Sequence, residues 1–192
     1  MPAASRGLEW AGPVPMEVSI CGNRHNFGGP FHYYKQIQVY DITPRIGPSE
    51  GEGVIYIYGK DFTSDFPYAD PGCRVGNSVG KAEILSSGEM KCTVEEMELV
   101  EEGDWLLVTA ALNSYSWAEG HSNMTFIPYG VTGVFPNSGP YAGDTDILIT
   151  GRGFDENAEN ARCRFGVEGD FAIVPAQVLS YDKLVCQSPA DF

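Results

Sequence analysis

Positive charge is scarce in this chain: 12 Lys and Arg stand against 26 Asp and Glu, for a formal net charge of −14. Nucleic-acid affinity rests on Lys and Arg neutralising phosphates, so this balance argues against nucleic acid as a partner. It fits a soluble surface, or one that meets cations. No apolar run reaches the roughly 18–20 residues of a membrane span. Met1–Trp10 lacks the basic start and apolar middle of a secretory leader, so an exported form would carry its leader upstream of this sequence. Histidine is rare. His25, His32 and His121 have no metal-ligand spacing and no recurring Cys partner, which makes them surface or strand-edge residues. There is no Gly-rich phosphate loop, and no carboxylate pair with acid/base spacing. Gly47-Pro48-Ser49-Glu50-Gly51 has the form Gly-x-Ser-x-Gly, but a nucleophile elbow needs a strand-to-helix turn and a partner His. Here the motif joins two strands and is a turn. Together these absences predict a protein that is not an enzyme and needs no cofactor.

What is present is core-forming material. Apolar residues make up 43% of the chain, and 23 Gly and 13 Pro are spread as punctuation between short apolar runs. Long helical periodicity is missing. Many short strands with Gly/Pro turns predict an all-β sandwich or barrel.

The strongest signal is an internal repeat. Val131–Phe154 reads as a short apolar strand, a Pro/Gly turn, an alternating strand and Gly-x-Gly-Phe; Val39–Phe62 has the same grammar. Pro44/Pro136, Gly47/Gly139, Pro48/Pro140, Gly51/Gly143, Gly59/Gly151 and Phe62/Phe154 pair at a constant offset of 92. The copy at Tyr141 has no Ser, which supports reading Ser49 as a turn residue. Residues 38–130 form one complete unit, with strands expected at Val39–Thr43, Gly53–Tyr58, Cys73–Gly76, Ala82–Leu85, Met90–Thr93, Trp105–Leu112 and Asn123–Tyr129. Seven short strands in this span predict an immunoglobulin-like sandwich. Residues 131–192 repeat that path but lack its last two strands. Residues 1–37 match what is lacking: Met16–Asn23 aligns with Leu106–Asn113 at an offset of 90, Phe27 falls opposite Trp117, and Phe31–Ile37 corresponds to Asn123–Tyr129. The chain thus begins and ends at nearly the same phase of its own period.

These residues resemble the IPT/TIG family, the immunoglobulin-like domain shared by plexins and some transcription factors. The carriers are Ile42-Thr43-Pro44…Gly47-Pro48…Gly51 and Val134-Phe135-Pro136…Gly139-Pro140…Gly143. Gly59-Lys60-Asp61-Phe62 and Gly151-Arg152-Gly153-Phe154 follow, then Cys-Arg-x-Gly and Cys186-Gln187-Ser188-Pro189. Cys92-Thr93-Val94-Glu95 departs by lacking the Ser-Pro, which puts its exit turn in doubt. The resemblance implies tandem immunoglobulin-like sandwiches, not a reaction.

Cys73 and Cys92 lie 19 positions apart and Cys163 and Cys186 lie 23 apart, at matching places in the two copies. We expect one disulfide inside each repeat, joining adjacent strands, and hence an extracellular or cell-surface protein. Reduced buried thiols are the alternative. Cys21 is left over and is read as core. Asn123-Met124-Thr125 is the single N-glycosylation sequon, making Asn123 the candidate glycan site of an extracellular glycoprotein. The acidic run Glu95, Glu96, Glu98, Glu101, Glu102 and Asp104 matches no calcium loop and is read as a solvated connector, as is Asp155–Asn160. Tyr33, Tyr34, Tyr56, Tyr58, Trp105, Tyr115 and Trp117 could line a carbohydrate face, but aromatics on strands more often serve as core and cross-strand pairs.

An open sandwich exposes core and unpaired edges. The expected function is therefore a non-catalytic extracellular structural repeat protein, assembling head-to-tail into a rod or filament. Its terminal half-domains would be completed by neighbouring subunits or by adjacent repeats of a longer chain. The alternative is a cell-surface adhesion module that recognises a protein or glycan.

Overall fold

The computed structural model describes residues 12–20, 22, 26–66, 69–119 and 124–190. Among these residues there is no helix, and the fold is all-β and immunoglobulin-like. Strands β1 (Gly12–Val18) and β2 (Asn26–Tyr33) form a separate antiparallel pair. The first sandwich follows as β3 (Gln38–Thr43), β4 (Ile46–Pro48), β5 (Glu50–Lys60), β6 (Gly72–Val75), β7 (Ser78–Ser86), β8 (Glu89–Glu96), β9 (Leu106–Ala111) and β10 (Thr125–Phe135).

Period-2 alternation builds its core. On β5, Ile55 and Ile57 point inward; on β8, Met90, Cys92 and Val94 do so while Glu89, Lys91 and Thr93 face out. Register locks these rows together, with Ile55 opposite Cys92 and Ile57 opposite Met90. Strand β7 turns the corner between the two layers. Its first residues pair with β6, and from Lys81 onward it pairs with β8. Gly80 sits at this corner because a Cβ there would lie 2.4 Å from the Thr93 carbonyl oxygen. One layer is then β3-β5-β8-β7, and the other is β7-β6-β9-β10 with β4 parallel on β10.

The second unit consists of the far half of β10, then β11 (Asp146–Arg152), β12 (Arg162–Val167), β13 (Asp170–Ser180) and β14 (Lys183–Gln187). The repeat persists in backbone detail. The β3–β5 ladder is bulged between Val39 and Asp41 and the β10–β11 ladder between Val131 and Gly133; the Thr43–Pro44 and Phe135–Pro136 bonds are both cis. A Cβ on Gly59 would sit 2.2 Å from the Gln38 carbonyl oxygen and 2.4 Å from the Phe62 ring. On Gly151 it would sit 2.2 Å from the Gly130 carbonyl oxygen and 2.4 Å from the Phe154 ring. Backbone and aromatic ring close on the same spot in both copies, so only glycine fits.

Four local expectations are corrected. Asn123–Tyr129 and the strand starting at Val131 are not separated by a link: β10 is one continuous strand whose first residues pair with β9 and β4 and whose last residues pair with β11. The Gly47–Gly51 turn includes a short strand, β4, which exists because residues 127–129 of β10 lie alongside it. The equivalent Ser138–Pro140 has no such neighbour and is not a strand. The strand around Cys92 runs on to Glu96, as no proline interrupts its hydrogen bonding. The N-terminal strands fall at Gly12–Val18 and Asn26–Tyr33 rather than Met16–Asn23 and Phe31–Ile37. With no sheet edge between them, the two segments close directly on each other, and Met16 pairs with Gly29.

Candidate interaction site

The most distinctive surface is one face of the second unit's sheet. In the first unit this face is covered by β9, the start of β10 and the residues flanking them, with Val108, Ala110, Leu112, Met124 and Phe126 buried against it. Among the described residues nothing equivalent covers the second unit. The comparison is quantitative: Val39 and Ile42 are 1% and 2% exposed, whereas their copies Val131 and Val134 are 60% and 48% exposed. A groove of about 840 Å³ results, lined by Val131, Val134, Ile147, Ile149, Phe165 and Leu184. Its floor repeats the first core, with Ile147 opposite Cys186 and Ile149 opposite Leu184.

The groove also has an open edge. Strand β6 is paired on both sides, to β7 and β9, but among the described residues its copy β12 is paired to β13 alone. The free amides and carbonyls of an edge strand are a template for another strand. Apolar face and open edge meet along β12.

Disulfides brace both units: Cys73 bonds Cys92 and Cys163 bonds Cys186, with Cα separations of 5.8 and 6.4 Å. They do not join hydrogen-bonded neighbours as expected. Cys73 lies on β6 and Cys92 on β8, and both strands pair with the corner strand β7, so the bond ties one layer to the other. In the second unit β13 plays the corner between β12 and β14.

At the junction, Gly130 packs so closely that a Cβ would lie 2.5 Å from the Ser49 hydroxyl. The Tyr181 hydroxyl donates to the Val100 carbonyl at 3.0 Å, and Arg152 pairs with Glu101. Burial pushes the Tyr181 phenol above its ordinary value; Arg152 opposes this, and Glu101, Asp104 and Glu102 add to it. Asp182 beside it is held low, first by a hydrogen bond from the Ser180 hydroxyl. The acidic connector thus touches the second unit, a role its sequence gave no means of seeing.

The other candidates are scattered. Asn123, Cys21, His25 and His121 lie outside the described residues. Ser49 is buried, its N–H donating to Tyr129 and its carbonyl accepting from Met97, as befits a structural turn. Among the described residues no group of three or more His, Cys, Asp or Glu converges on a metal position. An Asp155 carboxylate oxygen accepts from the Asn157 backbone N–H at 2.9 Å, closing its own turn. The aromatics do not form one surface: Tyr34 stacks on Phe66 with ring centres 5.0 Å apart, Arg74 lies over Trp117, and Tyr115 is isolated in solvent.

Fold and face together define a tandem immunoglobulin-like module in which one sandwich is covered and the next is open. The chain belongs to the IPT/TIG domain family, whose sequence model matches residues 38–126 and 128–192. Among solved structures it is similar to the Plexin A4 full extracellular region, domains 1 to 10, at 19% identity and a TM-score of 0.45, covering 95% of this chain and 15% of that one. A second Plexin A4 structure, with domains 1 to 8, is 18% identical with a TM-score of 0.41, covering 81% of this chain and 16% of that one. The chain therefore spans about 15% of the length of the structures it matches. No curated protein matches it. Among the described residues no helix is long and apolar enough to cross a membrane.

Proposed function

We propose that this chain is a non-catalytic, extracellular structural repeat that builds a rod, its terminal half-domains completed by strands from neighbouring subunits or from adjacent repeats of a longer chain. The units are residues 1–37, the last two strands of one repeat; 38–130, a complete repeat; and 131–192, the opening part of a further repeat. The observation carrying this reading is the uncovered face of the second unit beside the unpaired edge of β12. An exposed apolar face of this size is characteristic of an interaction surface. Two disulfides favour an oxidising compartment over the cytosol.

Sedimentation over a concentration series is the test. The expected result is mass rising in steps of one chain, with unbranched rods in negative-stain micrographs. A single-chain mass across the whole series would rule out completion by separate subunits. The adhesion alternative draws on a cleft of about 560 Å³ lined by Tyr33, Tyr34, Lys35 and Asp61. Glycan-array binding lost on Tyr34→Ala, without any assembly, would favour it.

A further inference from the structure

The two units differ on the outer side of their sheets as well. Successive residues of a strand point to opposite faces, so the residues between the inward isoleucines point away from the core. In the first unit the outer row across β3, β5, β8 and β7 reads Thr43, Tyr56, Lys91 and Glu83, each opposite the next. In the second unit the same row, across β10, β11, β14 and β13, reads Phe135, Leu148, Val185 and Gln177. Both charges of the row are gone, and three apolar residues stand side by side.

The exposure of this row is separate from that of the groove, which lies on the other side of the sheet. In the first unit β9 and β10 are in place and the matching outer face is still open, with Tyr40 49% and Tyr58 36% exposed. Phe135 is 75% exposed where the first unit carries a threonine, while Leu148 and Val185 are half-buried between their neighbours. A contiguous apolar row on the wet face of a sheet marks an interaction surface.

The flanks of the row identify its occupant. On one side lie Asp146 and Gln187, opposite each other, with the Gln187 amide donating to the Asp146 carboxylate at 2.9 Å. On the other side lie Thr150 and Lys183, also opposite each other. Asp146 keeps its charge against a neutral partner. Lys183 meets Asp182 at 3.5 Å, but both side chains are about half exposed, and such pairs contribute little. The row thus has an acid on one flank and a base on the other. A two-fold axis along the row turns each flank over the other, bringing Asp146 of one copy within diagonal reach of Lys183 of the next and Leu148 onto Leu148. Isologous contacts need this self-complementarity. Copies of net charge −14 repel, and a row without carboxylates is where they can approach.

We infer that the outer face of β10, β11 and β14 binds the same face of a second copy of this chain, sheet against sheet, about a two-fold axis along the Phe135–Leu148–Val185 row. Sheets packed this way lie about 10 Å apart with their strands inclined by about 30°. A patch four strands wide and about five residues long covers on the order of 300 Å². A stable interface takes roughly 800 Å² from each partner, so this contact is reversible. It is independent of the end-to-end completion proposed above, which uses the opposite face. Its effect is to hold two such molecules side by side, whether their units are completed by subunits or by further repeats.

The test uses the full chain with Cys21→Ser, which removes the one cysteine outside the two disulfides. Leu148→Cys and, at the matching place of the first unit, Tyr56→Cys are each treated with a short bismaleimide. The expected result is a covalent dimer from Leu148→Cys and little or none from Tyr56→Cys. Equal yields at the two positions would mark random collision, and no dimer at Leu148 would leave the row to a partner of another sequence; either overturns the inference. Val185→Lys installs the residue that the first unit carries at this place, and an unchanged urea midpoint checks that the fold is kept. Added to Leu148→Cys, it is expected to raise the concentration needed for half-maximal initial dimer formation roughly 100-fold, because the two-fold axis removes a valine-sized contact twice. End-to-end assembly seen by sedimentation is expected to persist in this variant. Phe135→Thr, at a site already in solvent, provides the same reading should Val185→Lys fail to fold. Dimer formation unchanged by both substitutions overturns the inference independently.

Discussion

The two sandwiches carry nearly the same sequence pattern, yet one is sealed and the other is half a structure. In the first, Ile55 and Ile57 are fully buried between β8 and the β9–β10 cover. In the second, Ile147 and Ile149 occupy the same rows, with a matching disulfide and the close-packed Gly151 behind them, but face a groove. The two units therefore share register, bulges and corner, and differ among the described residues in the burial of their apolar rows.

That contrast can be broken most sharply at its apolar rows. Ile57→Ala should destabilise the first unit by about 2–5 kcal/mol, the range for emptying a packed core site. Ile149→Ala should cost about 1 kcal/mol in the unassembled chain, since less area leaves water. Urea denaturation of both variants checks this, and equal losses would show that the second face is covered in solution.

A smaller effect is expected where the copies differ at one backbone position. Gly153 has φ 74° and its Cβ site lies 2.3 Å from the Pro128 carbonyl oxygen; Asp61, at the matching place, has φ 67° and pairs with Lys35. Gly153→Ala should cost about 2–3 kcal/mol, combining clash with left-handed strain. Asp61→Gly should shift stability by less than about 1 kcal/mol. Thermal melts of the pair would show whether the junction needs glycine where the hairpin boundary does not.

The gentlest probe is alkaline pH at Tyr181. Its phenol is raised above 10.0 by burial, so the folded state holds that proton more tightly than the unfolded chain does. The sign follows: this contribution is fully present below pH 10.0 and is lost as pH rises toward the folded value. Tyr181→Phe should flatten that part of the alkaline loss relative to the parent protein, as followed by hydrogen exchange at Val100–Glu102. An identical profile would remove Tyr181 from the junction.

Much of this was legible in the residues. Gly59 and Gly151 are pinned by backbone and ring contacts within their own unit, so the constraint repeats and the period can be read. Ile55, Ile57, Met90 and Cys92 alternate because their strands have one wet face, and periodicity reports that directly. What stayed hidden depends on partners distant in sequence. Strand β4 exists only because β10 lies beside it, and nothing local in Ile46–Pro48 announces a parallel neighbour. The layer-crossing disulfides follow from β7 and β13 changing partners midway, which spacing between cysteines does not encode. Glu101 looked like one carboxylate among several; its pairing with Arg152 depends on how two folded units meet. The hairpin register at Met16–Gly29 escaped prediction because the repeat implies a covered strand pair, and here the pair stands alone.

Strand β10 couples the two units mechanically as well as structurally. A conventional linker separates two domains by a length of chain that bends and twists freely. Here the last strand of one sandwich is, without a break, the first strand of the next, with Gly130 wedged against Ser49 at the crossing. Strands have an intrinsic right-handed twist. The rotation from one unit to the next is then a property of that single ribbon, and an array made this way has its helical pitch built into the strand that joins each pair.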